Sequence, residues 1–465
     1  MKKKESPFII LLIAVLIVAA ISLLPLNRLS GGKLKDFSLI SDIIRSDSVE
    51  ITDANTYIDP DLEAVLADIG VDSISTAGHP DTSAEENKEF AGQEFVGDDI
   101  HNLIDTGKIE DYTPDRRGLR HLRNAIRSAS GKPARIAVLG DSYIEGDILT
   151  EVVRERLQEK YGGKGAGYIP AYSNITGFRN SVRQTCSNWK EHDFRKKGQN
   201  NTTLSGFSFS PDGYAKTVIK GSKKPTHTSS WSKSRVVYIS PDSTSFRFYS
   251  AAGDNQDIAA AGSDIVQCHT LSGETEEVTF ECSDPKINVL GIFLDGTEGV
   301  AVDNMSIRGY AGIRHNTLNM DIAGQLAPYI DYDLIILEYG INALSAEQKN
   351  YNSYTYVLGK SIDRIRQAYP KADILLMGIG DRGIKQGAEV ISMPVVRNMI
   401  DAQRKLAKEK GLLFFDTCAA MGGQGAVVQW AKNRDINKDY IHLSKKGGTR
   451  LGNIVSDAIE TLLDE

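Results

Sequence analysis

Ser142, Asn342, Asp439 and His442 are the residues of this 465-residue chain whose types and neighbours point to chemistry. Ser142 closes the tripeptide Gly140-Asp141-Ser142, directly after the apolar run 136–139. A hydroxyl becomes a nucleophile when a base takes its proton, and an imidazole held in one tautomer by a carboxylate is such a base. Asp439 lies three residues before His442, close enough to hold that ring, and Asn342, in Gly340-Ile341-Asn342, carries an amide able to donate to an oxyanion. Each cluster also has an ordinary reading. Ser142 and Glu145 fit an S-x-x-E helix cap, Gly340 to Asn342 fit a turn, and Asp439 to His442 fit a solvated loop before a helix. Asp381 and Asp416 also end apolar runs and compete with Asp439 as the acid that orients His442.

These residues need a scaffold that brings distant segments to one edge. Apolar residues recur at helical spacing over 116–129, before Gly131 and Pro133, and the strand 136–139 is followed by a helix over 146–161. From about 316 onward helix and strand patterns alternate: helices at 316–326, 354–367, 395–410 and 446–463, strands at 334–337, 372–377 and 412–415. Such alternation predicts an α/β fold, a three-layer doubly wound parallel sheet with sites at the carboxyl ends of its strands. Between about 178 and 308 the period changes to two, with strands at 234–239, 245–249, 277–280 and 287–294, so an all-β module interrupts the α/β domain.

The other features bound the setting. Lys2, Lys3 and Lys4 precede an apolar run over 8–24, long enough to span a bilayer, and the positive charges place the rest of the chain on the far side of the membrane. The competing reading is a cleaved signal peptide; the length of the run and Pro25 favour an uncleaved anchor. The expected organisation is a cytoplasmic tip and transmembrane signal anchor over 1–29, a polar stalk over 30–113, the α/β domain over 114–177 and 309–465, and the β module over 178–308. Lys and Arg number 54 against 61 Asp and Glu, a net charge of −7, which argues against a nucleic-acid partner. Four cysteines at 186, 268, 282 and 418 have no metal or redox spacing; Cys268 and Cys282, flanking an expected hairpin over 269–280, are the expected disulfide pair in an oxidising compartment. The eight histidines show no ligand spacing, so neither a metal nor another cofactor is expected. Gly162-Gly163-Lys164-Gly165 lacks the context of a phosphate loop.

Taken in order, Gly-Asp-Ser, a lone glycine, Gly-x-Asn and Asp-x-x-His resemble the blocks of the SGNH or GDSL hydrolase superfamily. The wording LGDSYIEGDILT over 139–150, the KYGGKGAGYIP after it and the β insertion look most like the peptidoglycan O-acetylesterase branch. The resemblance implies Ser142 as nucleophile, His442 as general base and acid, and Asp439, by its spacing, as the orienting acid. It also implies an oxyanion hole from the Ser142 N–H, Asn342 and a glycine, either Gly309 or Gly312. Gly312 is preferred because it precedes the predicted helix and its missing side chain would let the backbone approach substrate. Tyr143 stands where the family has leucine and Leu443 where proline is common. The implied protein is a membrane-anchored, extracytoplasmic serine esterase that removes O-acetyl groups from a carbohydrate polymer, with peptidoglycan the leading substrate. Its jelly-roll-like β module would position the glycan, and deleting it should harm polymer turnover more than small-ester turnover. A polysaccharide O-acetyltransferase of the same fold and a non-catalytic glycan-binding surface protein are the alternatives.

Overall fold

The computed structural model describes Leu62 and residues 107–465, apart from 176–178, 197, 200, 252, 254–256 and 388. The expected membrane anchor at 8–24, and the stalk up to residue 106 except Leu62, lie outside the described residues. Among the described residues no helix is long and apolar enough to cross a membrane.

Buried runs of branched residues such as 334–338 (LIILE) and 373–377 (DILLM) form strands covered on both faces, as parallel strands must be. They belong to a six-stranded sheet in the order Ile109–Asp111, Leu413–Phe415, Asp373–Met377, Leu334–Glu338, Ala134–Gly140, Val300–Asn304. All neighbours are parallel except Ile109–Asp111, which runs antiparallel to Leu413–Phe415. Counted along the chain, the five parallel strands lie in the order 2-1-3-4-5. The strand order reverses at Ala134–Gly140, and the crevice beside that reversal, at the carboxyl ends of Ala134–Gly140 and Leu334–Glu338, is where such a sheet binds ligands. Right-handed crossovers send the connections on either side of the reversal to opposite faces.

Three boundaries shift. Ile109–Asp111 is hydrogen bonded into the sheet, so the segment expected as stalk up to 113 ends inside the α/β domain. The β module begins earlier than 178, because Gly167–Ile169 pairs with Asn288–Asp295 of the module. It also ends before 308, because Val300–Asn304 pairs with Ala134–Gly140 as an edge strand of the α/β sheet. Alternation alone could not separate a fully buried edge strand from the module's own strands.

The module is a nine-stranded antiparallel sheet folded over its own core. Trp231–Ser240 and Thr244–Ser250 follow one another along the chain but do not pair. They face each other across the core, where the Tyr238 and Phe246 rings meet edge to face 5.2 Å apart. Ser263–Thr275 and Glu277–Cys282 are likewise consecutive and unpaired, the first bonded to Trp231–Ser240 and the second to Phe207–Gly221 and Thr244–Ser250. The hairpin expected around 269–280 does not form, which removes the basis for a Cys268–Cys282 bridge; all four cysteines are free thiols.

The module is joined to the α/β domain by buried charge. Arg135 of Ala134–Gly140 bonds Asp295 (2.6 Å) and Asp303 (2.9 Å), Arg235 of the module bonds the same Asp295 (2.5 Å), and Tyr332 donates to Asp303 (3.0 Å). Buried ions are tolerated only when paired this closely, and removing one partner of such a set typically costs about 3–5 kcal/mol.

Candidate active site

Ser142 sits beyond the end of Ala134–Gly140, but not on a helix. Residues 142–149 are a turn and a 3-10 segment, and the following helix starts at Thr150. The Ser142–Glu145 helix cap therefore does not form: Glu145 pairs with Arg308, and the Ser142 hydroxyl lies 2.9 Å from His442 Nε2. Asp439 Oδ2 lies 2.8 Å from His442 Nδ1. With the Nδ1 proton directed at the carboxylate, Nε2 is left as an acceptor for the Ser142 O–H.

The loop holding His442 is tight. Tyr440 adopts φ +61°, Asn437 N–H donates to the His442 carbonyl (2.8 Å), and Tyr440 N–H returns to Asn437 (3.0 Å). The second Asp439 oxygen accepts the backbone N–H groups of Ile441 (2.9 Å) and His442 (3.0 Å). Burial pushes the Asp439 carboxyl up, but the hydrogen bond and charge of His442, with those two N–H groups, outweigh it and hold the acid below its ordinary value. Asp381 and Asp416 do other work. Asp381 accepts the N–H groups of Gly425 and Val427 (both 2.9 Å), and Asp416 caps Thr417–Met421 while bonding Arg404 (2.5 Å).

Chain segments some 300 residues apart meet because the closing helix Lys445–Asp464 docks on the Ser142 turn. A side chain at Gly448 would lie 2.3 Å from the Ile148 carbonyl, and one at Gly452 would lie 2.8 Å from Val152 Cβ. These glycines let the helix backbone approach residues 148–152, which follow the Ser142 turn. The sequence holds a signal for this contact, two adjacent glycines opening a helical pattern with a third four residues on, but no functional group marks it.

Asn342 lies in the short 3-10 segment Ile341–Ala343 behind Leu334–Glu338. Its amide donates to Asp141 Oδ2 (2.7 Å) and, more weakly, to the Tyr310 carbonyl (3.3 Å). Asp141, fully buried, also accepts the Tyr143 N–H (2.8 Å); burial raises its carboxyl to about 7 despite these donors. Asp141 thus fixes the Asn342 side chain, a role not read from the sequence. Beside it, at the end of its strand, Glu338 is buried, and burial with the Asp141 charge drives it well above the ordinary range despite the Asp141 backbone N–H.

The two candidate glycines differ. A side chain at Gly312 (φ +82°) would strike the Tyr339 ring at 2.5 Å and Leu358 at 3.1 Å, so its missing side chain makes room for the core rather than for a ligand, contrary to expectation. Gly309 (φ +69°) has open space before it. Its neighbour Arg308 reaches Glu145, and Ile307 N–H donates to the Gly140 carbonyl (2.8 Å), which ties this loop beside the Ser142 turn. Tyr143, placed where leucine was expected, is buried with its hydroxyl against Met421 Sδ (3.4 Å), and Leu443 bridges to Ile436. Among the described residues no group of three or more His, Cys, Asp or Glu side chains is arranged to hold a metal ion.

The sheet thus carries a serine, an imidazole and an aspartate in hydrogen-bonded sequence at its reversal point, an arrangement able to activate the serine hydroxyl as a nucleophile. The model of the GDSL-like lipase/acylhydrolase family matches residues 275–450, a segment that includes Asn342, Asp439 and His442. A solved structure of a peptidoglycan O-acetylesterase is similar to the chain with a TM-score of 0.64 and 22% identity, over 77% of this chain and 99% of that one. A family two carbohydrate esterase from Cellvibrio japonicus is more distant, with a TM-score of 0.26, 10% identity and 61% of this chain covered against 99% of its own. No curated protein matches the chain in sequence. Residues 275–450 are thus similar to the GDSL-like lipase/acylhydrolase family, and the chain shares the fold of the peptidoglycan O-acetylesterase structure.

Proposed function

We propose that the chain is a serine esterase that removes acetyl groups from hydroxyls of a carbohydrate polymer, with peptidoglycan the favoured substrate. The observation that carries this reading is the hydrogen-bonded series Ser142, His442, Asp439, at 2.9 and 2.8 Å. The fold likeness to a peptidoglycan O-acetylesterase supports the substrate class. In this reading Ser142 Oγ attacks the ester carbonyl while His442 Nε2 takes its proton. The tetrahedral oxyanion is held by the Ser142 N–H, the Asn342 amide and a glycine N–H. Of the two amide hydrogens of Asn342, one stays on Asp141, and the one resting weakly on Tyr310 passes to the oxyanion. Gly309 is the better third donor, because it is open in front and tied to the Ser142 turn. The imidazolium then protonates the departing sugar oxygen, and the acetyl-serine is hydrolysed by water that His442 deprotonates, releasing acetate.

The same reading places the enzyme outside the cytoplasm, anchored by the apolar run 8–24 behind Lys2 to Lys4. Hydrolysis of a chromogenic acetyl ester, with mass spectrometry of the quenched protein, tests the mechanism. An acetyl adduct on the peptide bearing Ser142, absent in Ser142→Ala, is expected; undiminished turnover by Ser142→Ala would overturn it.

A further inference from the structure

The residues between the β module's strands and the candidate oxyanion loop form an unbroken chain of contacts. Phe194, at the end of the module strand Val182–Asp193, packs its ring 5.5 Å from Tyr310 and 5.3 Å from His315. His315, fully buried, directs Nε2 at the Leu204 carbonyl of the module (2.9 Å). Burial lowers the imidazole to about 4, although the Leu204 and Gly312 carbonyls favour its protonated form, so the ring is neutral at physiological pH. With its proton on Nε2, Nδ1 accepts from the Tyr310 hydroxyl (3.2 Å), and that hydroxyl accepts the His315 N–H (3.0 Å). The Tyr310 carbonyl in turn receives the Asn342 amide. The Tyr310 ring also stands edge to face on Tyr339, 5.4 Å away, two residues before the turn bearing Asn342. Gly312 is the position at which Tyr339 enters this cluster.

We propose that the inserted β module completes the oxyanion site of the hydrolase domain, with His315 as the positioning residue that transmits the module's hold to Tyr310, Gly309 and Asn342. This rests on the esterase reading given above and goes beyond it, because it gives the module a part in the turnover of every acyl substrate rather than in the capture of polymer alone. Phe194, Leu204, His315 and Tyr310 do not touch the reacting atoms in this scheme. Phe194 and Leu204 supply a wall and an acceptor, His315 reads both, and Tyr310 hands the position to the donors that meet the oxyanion. An isolated hydrolase domain would leave His315 Nε2 without its acceptor and one face of Tyr310 bare.

The test uses the full-length chain, a small acetyl ester that makes no demand on polymer binding, and the variants His315→Leu, His315→Gln and Phe194→Leu. Misplaced donors lower kcat with little effect on KM, so His315→Leu is expected to lose between about 10- and 100-fold in kcat with KM within about twofold. His315→Gln, whose amide can donate to Leu204, should recover most of that loss, and Phe194→Leu should fall between them. In an Asn342→Ala background, His315→Leu should cost clearly less than it does in the parent, since the part of its effect that runs through Asn342 is already lost. Hydrogen exchange of the amides of 305–312 reads the clamp without turnover and should quicken in His315→Leu and Phe194→Leu but not in Asn342→Ala. Unchanged kcat and unchanged exchange, or losses that add in the double variant, would overturn the proposal. A parent without ester turnover would overturn the esterase reading, and the exchange result would still decide the clamp.

Discussion

Replacing Asp439 by asparagine separates the role of its charge from the role of its shape. The two oxygens of Asp439 have different partners: one accepts the backbone N–H groups of Ile441 (2.9 Å) and His442 (3.0 Å), the other faces His442 Nδ1 at 2.8 Å. An asparagine must keep its carbonyl on the two N–H groups, because its NH2 cannot accept from them. Its NH2 then points at Nδ1, which becomes an acceptor, and the ring proton moves to Nε2. The base thereby faces Ser142 with a proton already in place, as a donor where an acceptor is required. The fold changes little, since shape and backbone bonds are kept. The loss in kcat should be about 10⁴-fold, or about 5.4 kcal/mol of transition-state stabilisation at 1.36 kcal/mol per decade. Steady-state hydrolysis of a small acetyl ester by the parent and Asp439→Asn, with circular dichroism to show a native fold, measures it. A folded variant within tenfold of the parent would refute the tautomer argument and return Asp439 to the status of a loop residue.

Asn342→Ala should lower kcat by about 10²–10³-fold with KM held, and should also destabilise the chain by about 1–3 kcal/mol, because buried Asp141 loses a donor; parallel kinetics and urea unfolding check both. Glu338→Gln addresses pH. The folded-state pKa of Glu338 is raised, so the native chain holds that proton where the unfolded chain has released it, and stability falls as pH rises above the ordinary carboxylate range. Thermal melts from pH 4 to 8 should show a shallower decline in Glu338→Gln, and parallel curves would refute the assignment. Gly448→Ala places a methyl carbon 2.3 Å from the Ile148 carbonyl and should cost about 1–3 kcal/mol of stability while lowering kcat more than it raises KM, read by melts and kinetics together.

Much of the fold was legible because its strands are short, apolar and bounded by turn residues, and its helices have steady periods. The strand expected at 334–337 is Leu334–Glu338, and the helices expected at 395–410 and 446–463 are Val396–Lys410 and Lys445–Asp464. Ile109–Asp111 was not legible because three residues of an edge strand have no measurable period, and Val300–Asn304 because a strand buried throughout reads the same in either sheet. The meeting of Ser142, Asp439 and His442 followed the motif spacing. Residues whose importance depends on a distant partner did not show. Asp141 matters through Asn342, Gly448 through Ile148, and Gly312 through the Tyr339 ring, and none of those pairings leaves a local pattern. The disulfide expectation failed on register: adjacent strands in sequence lay in opposing layers.

The central claim is carbohydrate deacetylation by Ser142, and acetate release from O-acetylated peptidoglycan tests it most directly, with acetylated xylan as control and the full-length parent beside Ser142→Ala. Release from peptidoglycan by the parent that disappears in Ser142→Ala is the predicted result. Release that persists in Ser142→Ala, or none from either polymer by a folded parent, would contradict it.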